Sequence, residues 1–171
     1  ACRQIGYAMT CSGSVQEVHD MALISHIASL KTRIPFLHFF DCFRTSMEIQ
    51  KVELADYDDL AKLIPWEEVK SFRRRAMNPD HPHLRGTAQN PDHFFQAREA
   101  ANRYYLDAPG IIADVMKQVS AFVGRRYHLF DYVGAPDADK VVIMMGSGAE
   151  VAHETINHLN AQGEKLGLVK V

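Results

Sequence analysis

Residues 35–48 read Pro-Phe-Leu-His-Phe-Phe-Asp-Cys-Phe-Arg-Thr-Ser-Met-Glu, and this stretch decides how the rest of the chain is read. Pro35 can open a strand but not sit inside one. The run from Phe36 to Phe40 is apolar apart from His38, as expected of a strand covered on both faces. Asp41 ends the run. Thr45 and Glu48 have the spacing of a capping box, in which each side chain satisfies the other residue's free backbone N–H, so a helix is expected from about Met47. Ligands of open α/β sheets gather beyond the carboxyl ends of strands. Residues 41–46 are therefore the first candidate site, with Asp41, Arg44, Thr45 and Ser46 as its polar groups.

Working upstream, residues 5–9 are a short strand candidate, closed by the small and polar residues 10–13. Ser14 and Glu17 form a second capping-box pattern. In the following segment, residues 15–30, Val18, Met21, Ala22, Leu23, Ile24, Ile27 and Ala28 exceed a single stripe, which predicts a helix buried on more than one side. Strand, helix and the strand after Pro35 make a βαβ unit of about 30 residues, which requires parallel strands.

Downstream, residues 56–64 and 66–77 read as helices divided at Pro65. Residues 78–90 hold Pro79, Pro82 and Gly86 without apolar periodicity and read as loop. Asn-Pro-Asp-His occurs at Asn78 and again at Asn90, where Asn90 suits an N-cap and Pro91 the first helical position. Pro109 is expected to open a helix carrying Ile112, Val115, Met116, Val119, Phe122 and Val123, with Gly124 as its stop. Residues 134–139 are a turn-rich break, and residues 140–145 a fresh strand. Ser147 and Glu150 then give a third capping-box pattern after Gly146, and a helix with Val151, Ala152, Ile156 and Leu159 runs to Gly163. Residues 166–171 alternate into a last strand. A lone strand–helix–strand cannot close a core, so the chain is expected to stop inside a second domain.

Composition narrows the classes of function. The chain has 171 residues, 47% of them hydrophobic, enough for one domain or one and a fraction. A net charge of −2 argues against a nucleic-acid or anionic-membrane partner. The basic run at residues 73–75 stands beside Glu67 and Glu68 and reads as a solvated helix face. No apolar run approaches the ~20 residues that span a bilayer. Without an initiator Met or a signal peptide, the sequence is expected to be cut from something longer. Cys2, Cys11 and Cys42 have no C-x-x-C spacing, which excludes a cysteine-ligated cluster or zinc within this chain and favours a reducing, cytoplasmic setting.

Other polar groups have plainer explanations. Gly146-x-Gly148 has Val151 where a dinucleotide loop needs its third glycine, so a tight turn and capped helix is the better reading. Asp80, His81, His83 and His93 are chemically suited to a metal but share no fixed periodicity. His38 reads as a core histidine with a hydrogen-bond partner. The hydroxyls of Ser14 and Ser147 are accounted for by capping, and Asp41 and Arg44 pair with each other across the turn in the simplest reading.

Three strings carry a resemblance to a known family: PFLHFFDCFRTSMEIQKVE at 35–53, GTAQNPDHFFQ at 86–96 and YVGAPDADKVVIMMGSGAE at 132–150, joined by SVQEVHDMAL at 14–23. They resemble successive blocks of the pyruvate:ferredoxin (flavodoxin) oxidoreductases, collinear over essentially the whole chain. Cys42 and Met47 depart from the family pattern, which has glycine and histidine there. The resemblance implies an α/β fold: a parallel-sheet portion like the pyrimidine domain of thiamine enzymes over residues 1–131, with a helical extension over about 55–127. The first βαβ of a transketolase C-terminal-like domain would follow over 132–171.

It also implies a cytoplasmic homodimer that uses thiamine diphosphate with Mg2+, 4Fe–4S clusters and coenzyme A to convert pyruvate to acetyl-CoA, reducing ferredoxin or flavodoxin. The substrate threonine and arginine and the cofactor-activating glutamate are expected before Ala1, and the diphosphate site and cluster cysteines after Val171. The segment alone is expected to be inactive and to bind no cofactor fully, depending on the remainder of its polypeptide. A related oxidoreductase for another 2-oxo acid and a non-catalytic α/β binding module remain open alternatives.

Overall fold

The strand after Pro35 is β2 (Phe36–Phe40), and it pairs in parallel with β1 (Ala8–Ser12), from Ala8 opposite Phe36 to Ser12 opposite Phe40. The computed structural model describes residues 2–84, 86 and 88–171. Helix α1 (Val15–Thr32) is the crossover between the two strands, so the βαβ unit is present as expected. β1 nevertheless begins three residues later than the apolar pattern suggested. Gly6 turns the chain at φ 101°, outside any strand conformation. The polar residues read as a terminator belong to the strand and are buried with partners. Thr10 Oγ1 meets Ser25 Oγ at 2.9 Å, and Ser12 Oγ meets His38 Nε2 at 2.7 Å.

At the start of α1 the Ser14 hydroxyl accepts from the Glu17 amide at 3.2 Å, as a capping box requires. The return bond slips by one residue, because Glu17 Oε2 accepts from the Gly13 N–H at 2.7 Å. Ile24, Ile27 and Ala28 are buried against Val115, Met116 and Val119 of helix α5 (Pro91–Val123), forming the main core.

The helix expected from about Met47 is corrected: a single helical turn, α2 (Arg44–Met47), ends there, and Glu48 is extended. The Thr45–Glu48 box is not made. Two nearer acceptors close the turn first, Asp41 Oδ2 taking the Thr45 amide and Ser46 Oγ the Phe43 amide. Phe43 carries the turn's positive φ, 64°. Helices α3 (Tyr57–Leu63) and α4 (Trp66–Arg74) follow, divided by Ile64 and Pro65.

Pro109 does not open a helix; it lies inside α5, which runs from Pro91 after an extended Asn90. The missing N–H removes one internal bond. The packing of α5 along α1 carries the helix through, and Gly124 ends it at φ 72°.

A second sheet has β5 (Leu166–Lys170) at its centre, parallel to β4 (Lys140–Met144) and antiparallel to β3 (Asp131–Gly134). β2 and β4 thus belong to different sheets. The four residues of β3 are too few for periodicity to reveal. Helix α6 (Ser147–Ala161) crosses from β4 to β5, with Gly146 as its N-cap residue. Ser147 is therefore the first helical residue rather than the cap, and the third capping box is absent. Glu150 Oε1 instead accepts from Lys170 Nζ at 2.7 Å.

Candidate functional site

The carboxyl ends of β1, β2 and β4 meet, and Asp41 is the group that joins them. Its Oδ1 accepts from the Ser147 amide at 2.9 Å and from Thr45 Oγ1 at 3.1 Å. Its Oδ2 accepts from Ser147 Oγ at 2.9 Å and from the Thr45 amide at 3.4 Å. The loops are packed so closely that a side chain at either glycine would press on its neighbour. A Cβ on Gly13 would stand 3.0 Å from the Gly146 carbonyl oxygen, and one on Gly146 would stand 3.3 Å from Asp41 Oδ1. Gly146 also has φ 71°, a conformation that other residues adopt at a cost.

The electrostatics follow from this geometry. The Ser147 amide, at the positive end of the α6 dipole, is the main reason the Asp41 carboxyl is held down to about 2; the Ser147 hydroxyl and Thr45 add to it. The Cys11 thiol beside the clasp is pushed up by burial and then by the Asp41 charge. Helix N-termini that follow a strand are ready anion sites. Here the anion is an internal carboxylate.

Of the four residues singled out in the turn, the fold brings Asp41 and Thr45 into one hydrogen-bonded unit and leaves two outside it. Arg44 is exposed and forms no ion pair among the described residues, so the Asp41–Arg44 pair is not made. Asp41 already has four nearer donors. Ser46 is exposed and serves the turn itself. Ser147 contributes through Asp41 and not by capping. Ser14 and Glu17 stay with α1, and Glu48 and Glu150 lie outside the clasp. His38 has its expected partner in Ser12; burial, then the neighbouring His26, pushes its pKa down.

A second polar centre escaped the sequence reading. Asp20, fully buried on α1, accepts from Arg125 Nε at 2.6 Å, Arg125 Nη2 at 3.1 Å and the Tyr127 hydroxyl at 2.6 Å. His19 Nδ1 and Gln16 Nε2 lie at 3.0 and 3.2 Å. Arg125 continues to Glu53 at 2.6 Å, tying the segment after α5 to α1 and to the stretch after α2. Burial alone would raise Asp20; the hydrogen bonds from Arg125, His19 and Tyr127 outweigh it and hold the carboxyl below its ordinary value. Tyr127 is pushed up by burial and by Asp20. The only trace in the sequence is an acid directly before the apolar run Met21-Ala22-Leu23-Ile24.

An apolar cavity of about 440 Å³ lies between β1, β2, α5 and the ends of β4 and β5, lined by groups such as Met9, Phe36, Phe39, Ile112 and Met145. Among the described residues no three His, Cys, Asp or Glu side chains are grouped to hold a metal ion, Asp80, His81, His83 and His93 included. Asp41 is saturated and the first α6 amide already donates to it, so neither is free to hold a metal–diphosphate group.

The family model described as pyruvate flavodoxin/ferredoxin oxidoreductase, thiamine diphosphate-binding, matches residues 1–117. The chain belongs to this family. It is 61% identical over all 171 residues to a pyruvate:ferredoxin oxidoreductase of Moorella thermoacetica, of which it covers 15%. It is 56% identical to a pyruvate-flavodoxin oxidoreductase of Nostoc sp., covering 14%. A mitochondrial pyruvate dehydrogenase (NADP(+)) of Euglena gracilis is 48% identical over the whole chain, which covers 10% of it. The chain thus spans about one-seventh of the bacterial oxidoreductases and less of the Euglena enzyme. No helix described is long and apolar enough to cross a membrane.

Proposed function

We propose that this chain is a scaffold segment of a 2-oxo acid oxidoreductase that decarboxylates pyruvate to acetyl-CoA and passes the electrons to ferredoxin or flavodoxin. The observation that carries this reading is the identity of 61% over the full 171 residues with a pyruvate:ferredoxin oxidoreductase. Thiamine diphosphate with Mg2+, 4Fe–4S clusters and coenzyme A complete the chemistry in the longer protein, a cytoplasmic homodimer. Relatives named for ferredoxin, flavodoxin and NADP(+) share this segment, which supports placing the choice of electron acceptor elsewhere in the polypeptide.

The division of the chain follows from the same reading. Residues 1–131 belong to a pyrimidine-domain-like unit with a helical extension at about 55–127, and residues 132–171 begin a transketolase C-terminal-like unit. The existence of two sheets supports it. Asp41 and Thr45 then act at the junction as positioning residues, with Arg44 and Ser46 on the exposed side of the turn that supports the pocket.

The test is a substrate panel on the purified complete protein, with coenzyme A, thiamine diphosphate and a viologen dye as acceptor. Pyruvate should give the highest kcat/KM. A preference for another 2-oxo acid would replace pyruvate in this reading, and no 2-oxo acid turnover at all would overturn it.

A further inference from the structure

Away from the Asp41 clasp, Arg33 and Arg103 meet on Tyr104, and Arg75 lies across a cavity from Arg33. Arg33 Nη1 and Arg103 Nη2 both donate to the Tyr104 hydroxyl, at 3.0 and 2.7 Å. Their guanidinium carbons stand 5.0 and 4.7 Å from the ring centroid. Arg75, the C-cap residue of α4, donates from Nη1 to Ser71 Oγ at 2.5 Å, and the Tyr104 phenol is held below its ordinary pKa, by Arg103 foremost. None of the three arginines forms an ion pair among the described residues. Glu99 and Asp107, one helical turn either side of Arg103, leave it unpaired.

Arg33 and Arg75 also line a cavity of about 590 Å³ between the end of α1 and α4, beside His26 and against Leu30, Ile34 and Phe72. Arg33 reaches this position as the C-cap of α1 at φ 61°, where glycine is the usual residue. Gathered like charges repel one another. Arg33 and Arg75 each give one Nη1 to a neighbouring hydroxyl and keep further N–H donors, and such donors beside an apolar wall are complementary to an anion carrying an apolar body.

We propose that the cavity between α1 and α4 binds a small phosphate-bearing molecule with an aromatic or apolar body, its phosphates held by Arg33 and Arg75 and its body against Leu30, Ile34 and Phe72. Arg103 and Tyr104 hold Arg33 in place. Planar arginine forks suit phosphate oxygens, which explains arginine rather than lysine at both positions. The run at residues 73–75 is by sequence a solvated helix face; only Arg75 of that run lines this cavity.

The test is photolabelling of the complete protein with 8-azido-ADP, followed by peptide mapping, with inorganic pyrophosphate and adenosine as competitors. Label is expected on peptides covering residues 26–35 or 72–76, competed by pyrophosphate and not by adenosine alone. A double change, Arg33→Gln with Arg75→Gln, should lower that labelling at least tenfold, and Arg33→Lys with Arg75→Lys should restore a part of it. Pyrophosphate that competes as strongly as ADP would identify free polyphosphate as the source; weaker competition would identify a nucleotide. Both results support the site. Label found only elsewhere, or label on these peptides that resists both pyrophosphate and the double change, would overturn it. Should the double-Gln variant fail to fold, the wild-type map and competition decide alone.

Discussion

Asp41 and Ser147 stand 106 positions apart in sequence, yet the Asp41 carboxylate accepts both the amide and the hydroxyl of Ser147, each at 2.9 Å. The carboxylate of one βαβ unit thereby caps the crossover helix of the next. Removing the acceptor loses four bonds, whereas removing the hydroxyl loses one. Asp41→Ala should therefore lower the melting temperature of the complete protein more than Ser147→Ala, with Asp41→Asn between them. Equal losses for all three would contradict the arrangement.

The same contact sets an acid response. The folded Asp41 carboxyl lies at about 2 against an ordinary 3.8, so its contribution to stability is present above about 4 and is lost as pH falls toward 2. In acid titrations followed by near-ultraviolet circular dichroism, Asp41→Asn should show a shallower loss between pH 4 and 2 than the wild type. An identical acid limb would mean that the carboxylate is not held by Ser147 in solution.

Asp20 is the more demanding centre, because it is fully buried. Arg125→Ala should destabilise by about 3 kcal/mol, the lower end for an orphaned buried charge, since the Arg125 side chain is 28% exposed. Tyr127→Phe should cost about 1.5 kcal/mol for one hydrogen bond to a charged acceptor. Tyr127 is raised above its ordinary 10.0, so its contribution is present below that pH and is lost as pH rises beyond it. Denaturant melts at pH 7 and above pH 10 check both statements. A Tyr127→Phe variant with unchanged stability at neutral pH would refute the bond.

Pro109 in the interior of α5 costs the helix an N–H and favours a break that does not occur. Pro109→Ala should accordingly be neutral or stabilising, by up to about 3 kcal/mol. A clear loss of stability would show that the ring's contact with the apolar cavity outweighs the helix penalty.

Arg44 distinguishes support of the pocket from support of the turn alone. Arg44→Ala in the complete protein should lower pyruvate kcat/KM roughly two- to fivefold, the kinetic equivalent of a surface charge worth about 0.3–1 kcal/mol, with cluster content unchanged. Normal kinetics would leave Arg44 without a part in the pocket.

What the sequence disclosed divides along physical lines. β2 and α1 were legible because their signals are local: Pro35 before an apolar run, and Ser14 as a cap before a helix buried on several faces. The fate of Ser147 was not, because its spacing to Glu150 satisfies a local rule while the decisive acceptor, Asp41, comes from a distant segment. The spacing of Thr45 and Glu48 misleads for the same reason, since Asp41 reaches Thr45 first. Asp20 looked like any polar residue on a helix, and its partners Arg125 and Tyr127 lie 105 and 107 positions away. Tertiary packing, which sequence spacing does not display, also carries α5 through Pro109.

The proposed scaffold role requires that the oxidoreductase chemistry depend on groups outside this segment. Formation of acetyl-CoA from pyruvate, measured in parallel for the complete protein and for the isolated 171-residue chain, tests it most directly. The complete protein should form acetyl-CoA with thiamine diphosphate, coenzyme A and an electron acceptor supplied, while the isolated chain forms none and shows no iron–sulfur absorbance. Acetyl-CoA formation by the isolated chain, or its absence from the complete protein, would contradict that role.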